Sequence, residues 1–203
     1  FKKECTSLND IMDHSNKSSD LSDKLIVTRK IWNEFLCILK DNQCPIPKFP
    51  IWTDIWDHDV SEEFYKRYKS TVDKNKKFYE DNIDILEPWL TESREHEKWK
   101  GAIRKLEWQV GTDFGTLDET LWSPRGSGIR VKQLDYSPTL VAMASMIPIY
   151  GPYSRQLTSR ECARLQSFPD DFILNEDPKV NYKHFGNAVN VKMISWCVSF
   201  LIK

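Results

Sequence analysis

Net charge is what this chain has least of: 29 Lys and Arg against 30 Asp and Glu leave −1 at neutral pH over 203 residues. That excludes a uniformly basic nucleic-acid binder, so any such contact has to come from locally clustered Lys and Arg. Five cysteines with no Cys-x-x-Cys pair argue against a zinc site or a disulfide framework, and for free, buried thiols in a reducing compartment. The four histidines, His14, His58, His96 and His184, are scattered without metal-ligand spacing. The apolar run at the C-terminal end is too short to cross a bilayer and is interrupted by Asn190, Lys192, Ser195 and Ser199. With no signal-peptide pattern in front of the fold, the expected location is cytoplasmic.

What is present suffices for one real core, with 40% hydrophobic residues. The first twenty residues read as a short contact at Leu8 and Ile11 followed by a mobile polar linker over 13–20. Leu21, Leu25, Thr28, Trp32, Phe35, Leu36 and Leu39 keep helical spacing, with Ser22 or Asp20 as cap. The prolines of 44–52 force an extended connection, with Phe49 and Trp52 as plugs. Ser61-Glu62-Glu63 opens a second helical region whose apolar face is Tyr65, Tyr68, Val72, Tyr79, Ile83 and Leu86. Its Lys66, Arg67, Lys69, Lys74, Lys76 and Lys77 read first as a solvated face and second as a phosphate-tracking surface. A further helix is predicted over about 92–109, with Trp99, Ile103 and Leu106 inward, and the tryptophans in general belong to the core. Residues 111–128 read as loop. Ile129 and Val131 alternate with Arg130 and Lys132 as a strand, and 139–143 is its predicted partner across a turn at 135–138, giving a small antiparallel sheet.

The most specific stretch runs from Arg155 to Phe172. Thr158 and Glu161 stand three apart as a capping box, Leu157 precedes the cap, and Pro169 forbids continuation, so a helix of about two and a half turns is predicted. Cys162, Leu165 and Phe168 face a core, with Cys162 a buried small hydrophobe. Arg160 and Arg164, four apart, require carboxylate or carbonyl partners. The second stretch, Gly186-Asn187-Ala188-Val189, reads as the N-cap of a terminal helix reaching residue 202. Val189, Met193, Trp196 and Phe200 form one apolar row on it, and Val191, Ile194, Val198 and Leu201 a second, so it wants burial on two sides.

These residues resemble the DNA (cytosine-5)-methyltransferases. The family's penultimate motif, Arg-x-Leu-Thr-x-Arg-Glu-x-Ala-Arg-Leu-Gln-x-Phe-Pro, matches at Arg155, Leu157, Thr158, Arg160, Glu161, Ala163, Arg164, Leu165, Gln166, Phe168 and Pro169. The closing motif, Gly-Asn-Ala/Ser-Val, matches at Gly186, Asn187, Ala188 and Val189. More loosely, 127–132 and 137–140 look like the segment leading into the penultimate motif of some bacterial members, and 6–11 like the segment after the last catalytic-half motif. The family's Pro-Cys nucleophile, Glu-Asn-Val motif, Gln-x-Arg-x-Arg motif and Gly-rich cofactor loop do not occur in these 203 residues.

The resemblance implies the C-terminal part of such an enzyme, of bacterial restriction-modification type. Expected are a linker over 1–20, a target-recognition domain over 21–182 that includes the motif at 155–172, and a closing motif and helix over 183–203 that packs on the catalytic domain. The expected fold is α+β: a mainly helical first half, a small irregular antiparallel sheet and a C-terminal helix. Implied partners are double-stranded DNA and the catalytic half, in the same chain or as a separate subunit, with self-association of the chain by itself. Asn187 and Ala188 are implied to contact S-adenosylmethionine in the complete enzyme, where free amides and a positive helix end would favour its carboxylate; this chain alone is expected to bind none and to be inactive. For DNA the candidates are Arg104, Arg125, Ser127, Arg130 and Lys132, the arginines suited to bidentate contact with guanine. Arg155, Thr158, Arg160, Glu161 and Arg164 form a structural motif, and no residue here is assigned to catalysis. A subunit of a split enzyme and a non-catalytic DNA-binding module are the other readings.

Overall fold

The computed structural model describes residues 8–15, 21–111 and 115–202. The expected polar linker beyond residue 15 and the middle of the turn at 111–115 lie outside them. Helix α1 (Leu8–Ile11) is one turn, and the contact expected of it is there, since Leu8 and Ile11 are both buried. Helix α2 (Asp23–Asp41) buries Thr28, Ile31, Trp32, Phe35, Leu36 and Leu39, close to the stripe its spacing predicts. The proline-rich connection leads to β1 (Ile51–Trp52). Helix α3 (Glu62–Asp81), capped by the Ser61 hydroxyl and kinked at Tyr68, is followed by α4 (Ile83–Glu95). Six tryptophans, Trp32, Trp56, Trp89, Trp99, Trp108 and Trp122, are buried.

The helix predicted over about 92–109 is not there. Helix α4 stops at Glu95, a left-handed Gly101 turns the chain, and residues 105–109 form strand β2 (Lys105–Gln109). The reason is legible afterwards: Leu106 and Trp108 alternate with Lys105, Glu107 and Gln109, which is strand period rather than helix period. The predicted loop over 111–128 likewise contains β3 (Leu121–Arg125), antiparallel to β4 (Gly128–Lys132) through a two-residue turn. Pro124 is tolerated because β5 (Ile149–Tyr150) pairs only with Leu121 and Trp122, leaving β3 a single neighbour at Pro124. Strand β3, not 139–143, is thus the partner of β4. With β6 (Arg155–Gln156) the strand order is β1-β2-β4-β3-β5-β6, and the sheet is mixed because β2 and β4 run parallel. The class expected from sequence, α+β, stands, with a larger sheet than expected.

The sheet separates two cores. Ile51, Leu106, Trp108, Ile129, Val131, Trp122 and Ile149 point to one side, where α2 and α4 cover them. On the other side Leu121 and Tyr150 pack with Leu8, Ile11, Met12, Leu140, Ile147, Leu157, Cys162, Ala163 and Phe185. The second core includes α5 (Ser159–Leu165) and α6 (Pro178–Asn187), and it covers only the β3, β5 and β6 end of that face. The final helix, α7 (Val191–Leu201), has no buried residue. Of the described cysteines only Cys162 is buried, while Cys37 and Cys197 are exposed and Cys44 is intermediate, so the expectation of buried thiols holds for one.

Backbone contact without side chains joins α6 to 139–143. A Cβ on Gly186 would lie 2.2 Å from the carbonyl carbon of Val141 and 2.3 Å from the amide nitrogen of Ala142. Alanine in a helix ordinarily gains about 1 kcal/mol over glycine, but pushing two backbones apart costs about 1–3 kcal/mol. Gly186→Ala should therefore lower stability by a net of up to about 2 kcal/mol in urea titration. Gly126→Ala, where a Cβ meets nothing within 4 Å, serves as the near-neutral comparison.

Candidate nucleic-acid interface

The capping box predicted at the start of α5 forms: the Thr158 hydroxyl accepts from the Glu161 amide at 3.2 Å, and the Glu161 carboxylate accepts from the Thr158 amide at 2.7 Å. Seven residues of helix make it two turns rather than two and a half. Glu161 does more than cap. Its carboxylate receives both terminal nitrogens of Arg155, at 2.8 and 2.7 Å, with the two side chains 0% and 1% exposed. The Asp13 amide donates to the same carboxylate at 2.8 Å, and Arg155 donates onward to the Asp13 carbonyl at 3.1 Å. Arg164 donates to the Ile11 carbonyl and clasps Asp170 with two nitrogens, while Arg160 donates to the Phe172 carbonyl at 2.9 Å. Both arginines thus find the partners their spacing requires, and the segment arriving from α1 is tied to α5 through its backbone.

The other end of α5 fixes the chain's exit. The Gln166 side chain donates to the carbonyls of Phe185 and Ala188, at 2.8 and 3.2 Å. The Val191 amide donates to the Gln166 carbonyl, and the Asn190 side chain donates to the Leu165 carbonyl. Asn190 also caps α7, accepting from the Met193 amide at 3.1 Å. Asn187, expected as that N-cap, is instead the last residue of α6, and α7 starts at Val191. Helix α6, started by Pro178 under an Asp177 cap, runs through the Gly-Asn pair, and the cap of α7 falls to Asn190, which the Leu165 carbonyl holds.

On the open part of the sheet, register brings together residues that sequence reading took singly. Glu107 is paired with Arg130 and Gln109 with Lys132 across β2 and β4, while Ser123 lies opposite Arg130, and Arg125 opposite Gly128, across β3 and β4. Partners in register share a face, so Lys105, Glu107, Gln109, Arg125, Arg130 and Lys132 all project from the side that the second core leaves bare. Gly128 permits this closeness, since a Cβ there would lie 2.7 Å from that of Lys105. Arg130 donates to Glu107 at 3.1 Å, and Gln109 donates to the same carboxylate. Arg125 is steadied by Ser123 and the Thr139 carbonyl; burial, and then the charge of Arg130, hold its guanidinium below its ordinary value. Ser127 is exposed at the hairpin turn, beside a cleft of about 560 Å³ lined by Lys24, Arg125, Gly126, Ser145 and Gln156. Arg104 does not join this face, because its guanidinium is held by Asp54 and the Trp99 carbonyl. On α3, Lys66, Lys69 and Lys77 pair with Glu62, Asp73 and Asp81 one turn away, as on a solvated helix face. Lys105, read from sequence beside Arg104 as able to reach DNA, is on this face, whereas Glu107 and Gln109 were missed because a helix was read where their alternation marks a strand.

A family model for C-5 cytosine-specific DNA methylase matches residues 7–202. The chain belongs to that family. Among curated members, the Type II methyltransferase M.HgiCI of Herpetosiphon aurantiacus is 43% identical over 140 residues, 66% of this chain and 30% of its own length. The Type II methyltransferase M.AluI of Cellulosimicrobium cellulans is 36% identical over 128 residues, 62% of this chain and 24% of its own length. This methylase-family chain thus spans about a quarter to a third of the length of these two relatives. No solved structure matches it.

For the methylase cofactor the geometry corrects one argument. Asn187 is exposed and ends a helix, so it offers the carbonyl end of a dipole rather than free amides, and the Ala188 carbonyl is already taken by Gln166. The positive helix end invoked for a cofactor carboxylate is thus that of α7, which begins at Val191 rather than at this pair. The motif around Glu161 carries a different prediction. Burial pushes the Glu161 carboxyl up, but hydrogen bonds from Arg155, Thr158 and Asp13 and the guanidinium charge outweigh it and hold the group below the usual carboxylate range. Glu161→Gln strands a buried guanidinium and should cost about 3–5 kcal/mol. A depressed folded value means that the stabilisation is complete above the unfolded value of about 4.3 and is lost as pH falls through the folded one. Urea titrations should show a difference between parent and variant that is flat at neutral pH and shrinks in acid; a difference that persists unchanged to the acid limit of folding would contradict the role given to the pair.

Proposed function

We propose that this chain is the DNA-recognition portion of an S-adenosylmethionine-dependent DNA (cytosine-5)-methyltransferase of restriction-modification type, holding the duplex while a cytosine is flipped out and methylated. The observation that carries the reading is the bare sheet face, where Lys105, Arg125, Arg130 and Lys132 converge in a family member whose net charge is only −1. Local clustering of that kind supplies phosphate affinity without an overall basic chain. The two-residue β3–β4 turn, with Arg125 and Ser127, is narrow enough to enter a major groove about 12 Å wide. The cofactor supplies the methyl group; the residues described here bind and orient DNA, and the cysteine that attacks the base belongs to the catalytic half.

Helix α7 supports the same reading over that of a free-standing binding module. Val191, Met193, Ile194 and Val198 are 37–47% exposed and Leu201 85%, and burying each such side chain fully is worth about 1.5–3 kcal/mol. A helix apolar on both rows, aimed by the Gln166 and Asn190 hydrogen bonds, is suited to insertion between elements of the catalytic half, whether that half is in the same chain or a separate subunit. Where no catalytic half is present, the chain should self-associate. Sedimentation should show oligomers that revert to monomers on Val191→Ser with Ile194→Ser. Mixed with a polypeptide carrying the Pro-Cys and Glu-Asn-Val motifs, the parent chain should restore tritiated methyl transfer to DNA, and the double variant should not. Methyl transfer by the chain alone would overturn the reading.

Duplex binding by the chain alone should be weak and steeply salt-dependent. Lys132→Ala should flatten the plot of log affinity against log salt by about one unit at every DNA sequence, whereas Arg125→Ala should relax preference at one position. Binding that is tight and indifferent to salt would count against it.

A further inference from the structure

Among the described residues of β2, β3 and β4 the bare face carries one carboxylate beside its cations, Glu107, placed on a central strand with its oxygens turned to Arg130 and Gln109. A fold that needed only affinity for phosphate would gain nothing from it. Adjacent strands lie about 4.8 Å apart, so the span from β1 to β3 is about 14 Å and too wide to enter a major groove of about 12 Å. On the recognition reading, with Arg125 and the hairpin turn in the groove, Lys105, Arg130 and Lys132 would lie against the sugar-phosphate backbone, where each attracts and Glu107 repels. It also occupies Arg130, whose guanidinium cannot engage a phosphate fully while it donates to the carboxylate at 3.1 Å.

We propose that Glu107 is a specificity-determining residue that acts by repulsion: it masks Arg130 and lowers affinity for DNA of any sequence, so that stable binding requires base contacts from the neighbouring hairpin turn. The inference rests on the DNA-recognition reading above. Discrimination is a difference of affinities, and weakening the sequence-independent term widens it. The pairing is suited to this because it is half-exposed, with Arg130 and Glu107 side chains 41% and 31% exposed. An exposed ion pair contributes only about 0–1 kcal/mol to stability, so the carboxylate is weakly justified as a support for the fold.

The test uses the full 203-residue chain and a random-sequence duplex, with fluorescence anisotropy over a series of salt concentrations. Glu107→Gln keeps the size and one acceptor while removing the charge. It should bind the duplex about 3–10-fold more tightly at low salt and steepen the salt slope by about one unit, as for one more phosphate contact. Glu107→Gln with Arg130→Ala should return the slope to the parent's, and Glu92→Gln, the same change of net charge at an exposed position of α4, should leave it there; a general effect of net charge would steepen it equally in Glu92→Gln. Binding by the parent with no gain, or a loss, in Glu107→Gln overturns this inference and leaves the recognition reading standing. If neither protein binds the duplex at any salt concentration, both fall.

Discussion

The buried pair of Arg155 and Glu161 is the interaction on which the arrangement depends. Two charges removed from water are tolerable only when every lone pair and proton finds a partner, and here the partners are the Thr158 and Asp13 amides and the Gln156 and Asp13 carbonyls. The requirement therefore recruits chain from 142 residues away in sequence. It fixes residues 11–13 onto α5, and with them Leu8, Ile11 and Met12 in the second core. The same carboxylate also caps the helix. One glutamate thus couples local helix formation to long-range packing, which explains why the motif needs both an arginine before the helix and a glutamate at its third position.

Helix α5 is also where both ends of the described chain meet. Arg155, Glu161 and Arg164 hold the incoming segment, and Leu165, Gln166 and Ser167 hold the elbow from which α7 departs. These six residues, on or beside α5, thus tie both ends of the described chain to one short helix. The two tethers differ in kind: the entry is gripped by charge in a dry site, the exit by neutral side-chain amides at a half-exposed one. Opening the exit costs less, since each neutral hydrogen bond is worth about 0.5–1.5 kcal/mol net.

The mixed sheet converts this anchoring into a surface. One face is covered along its length and the other at the β3, β5 and β6 end and, through Trp52 against Phe64 and Tyr68 of α3, at the β1 edge, so the polar row of β2 and β4 lies between two covered ends. Gly128 lets β4 approach Lys105 closely enough for that row to be continuous.

The sequence by itself determined the local events whose signal lies within a few residues: the stripe of α2, the capping box of Thr158 and Glu161, the partners demanded by Arg160 and Arg164, and the two apolar rows of the final helix. Each is a matter of period or of hydrogen bonds inside one turn. It also carried the family, because the two motifs stand in order at Arg155 and Gly186. What only tertiary structure decided is where competing local signals tie or where partners are remote. Within residues 92–109 the apolar positions were read at helical period, and pairing of β2 with β1 and β4 settled 105–109 as strand. The cap of the last helix passed from Asn187 to Asn190 because the carbonyl of Leu165, 25 residues away, binds the latter. The face shared by Glu107 and Arg130 exists only through a parallel register between strands that are not consecutive, and no spacing within one segment encodes it.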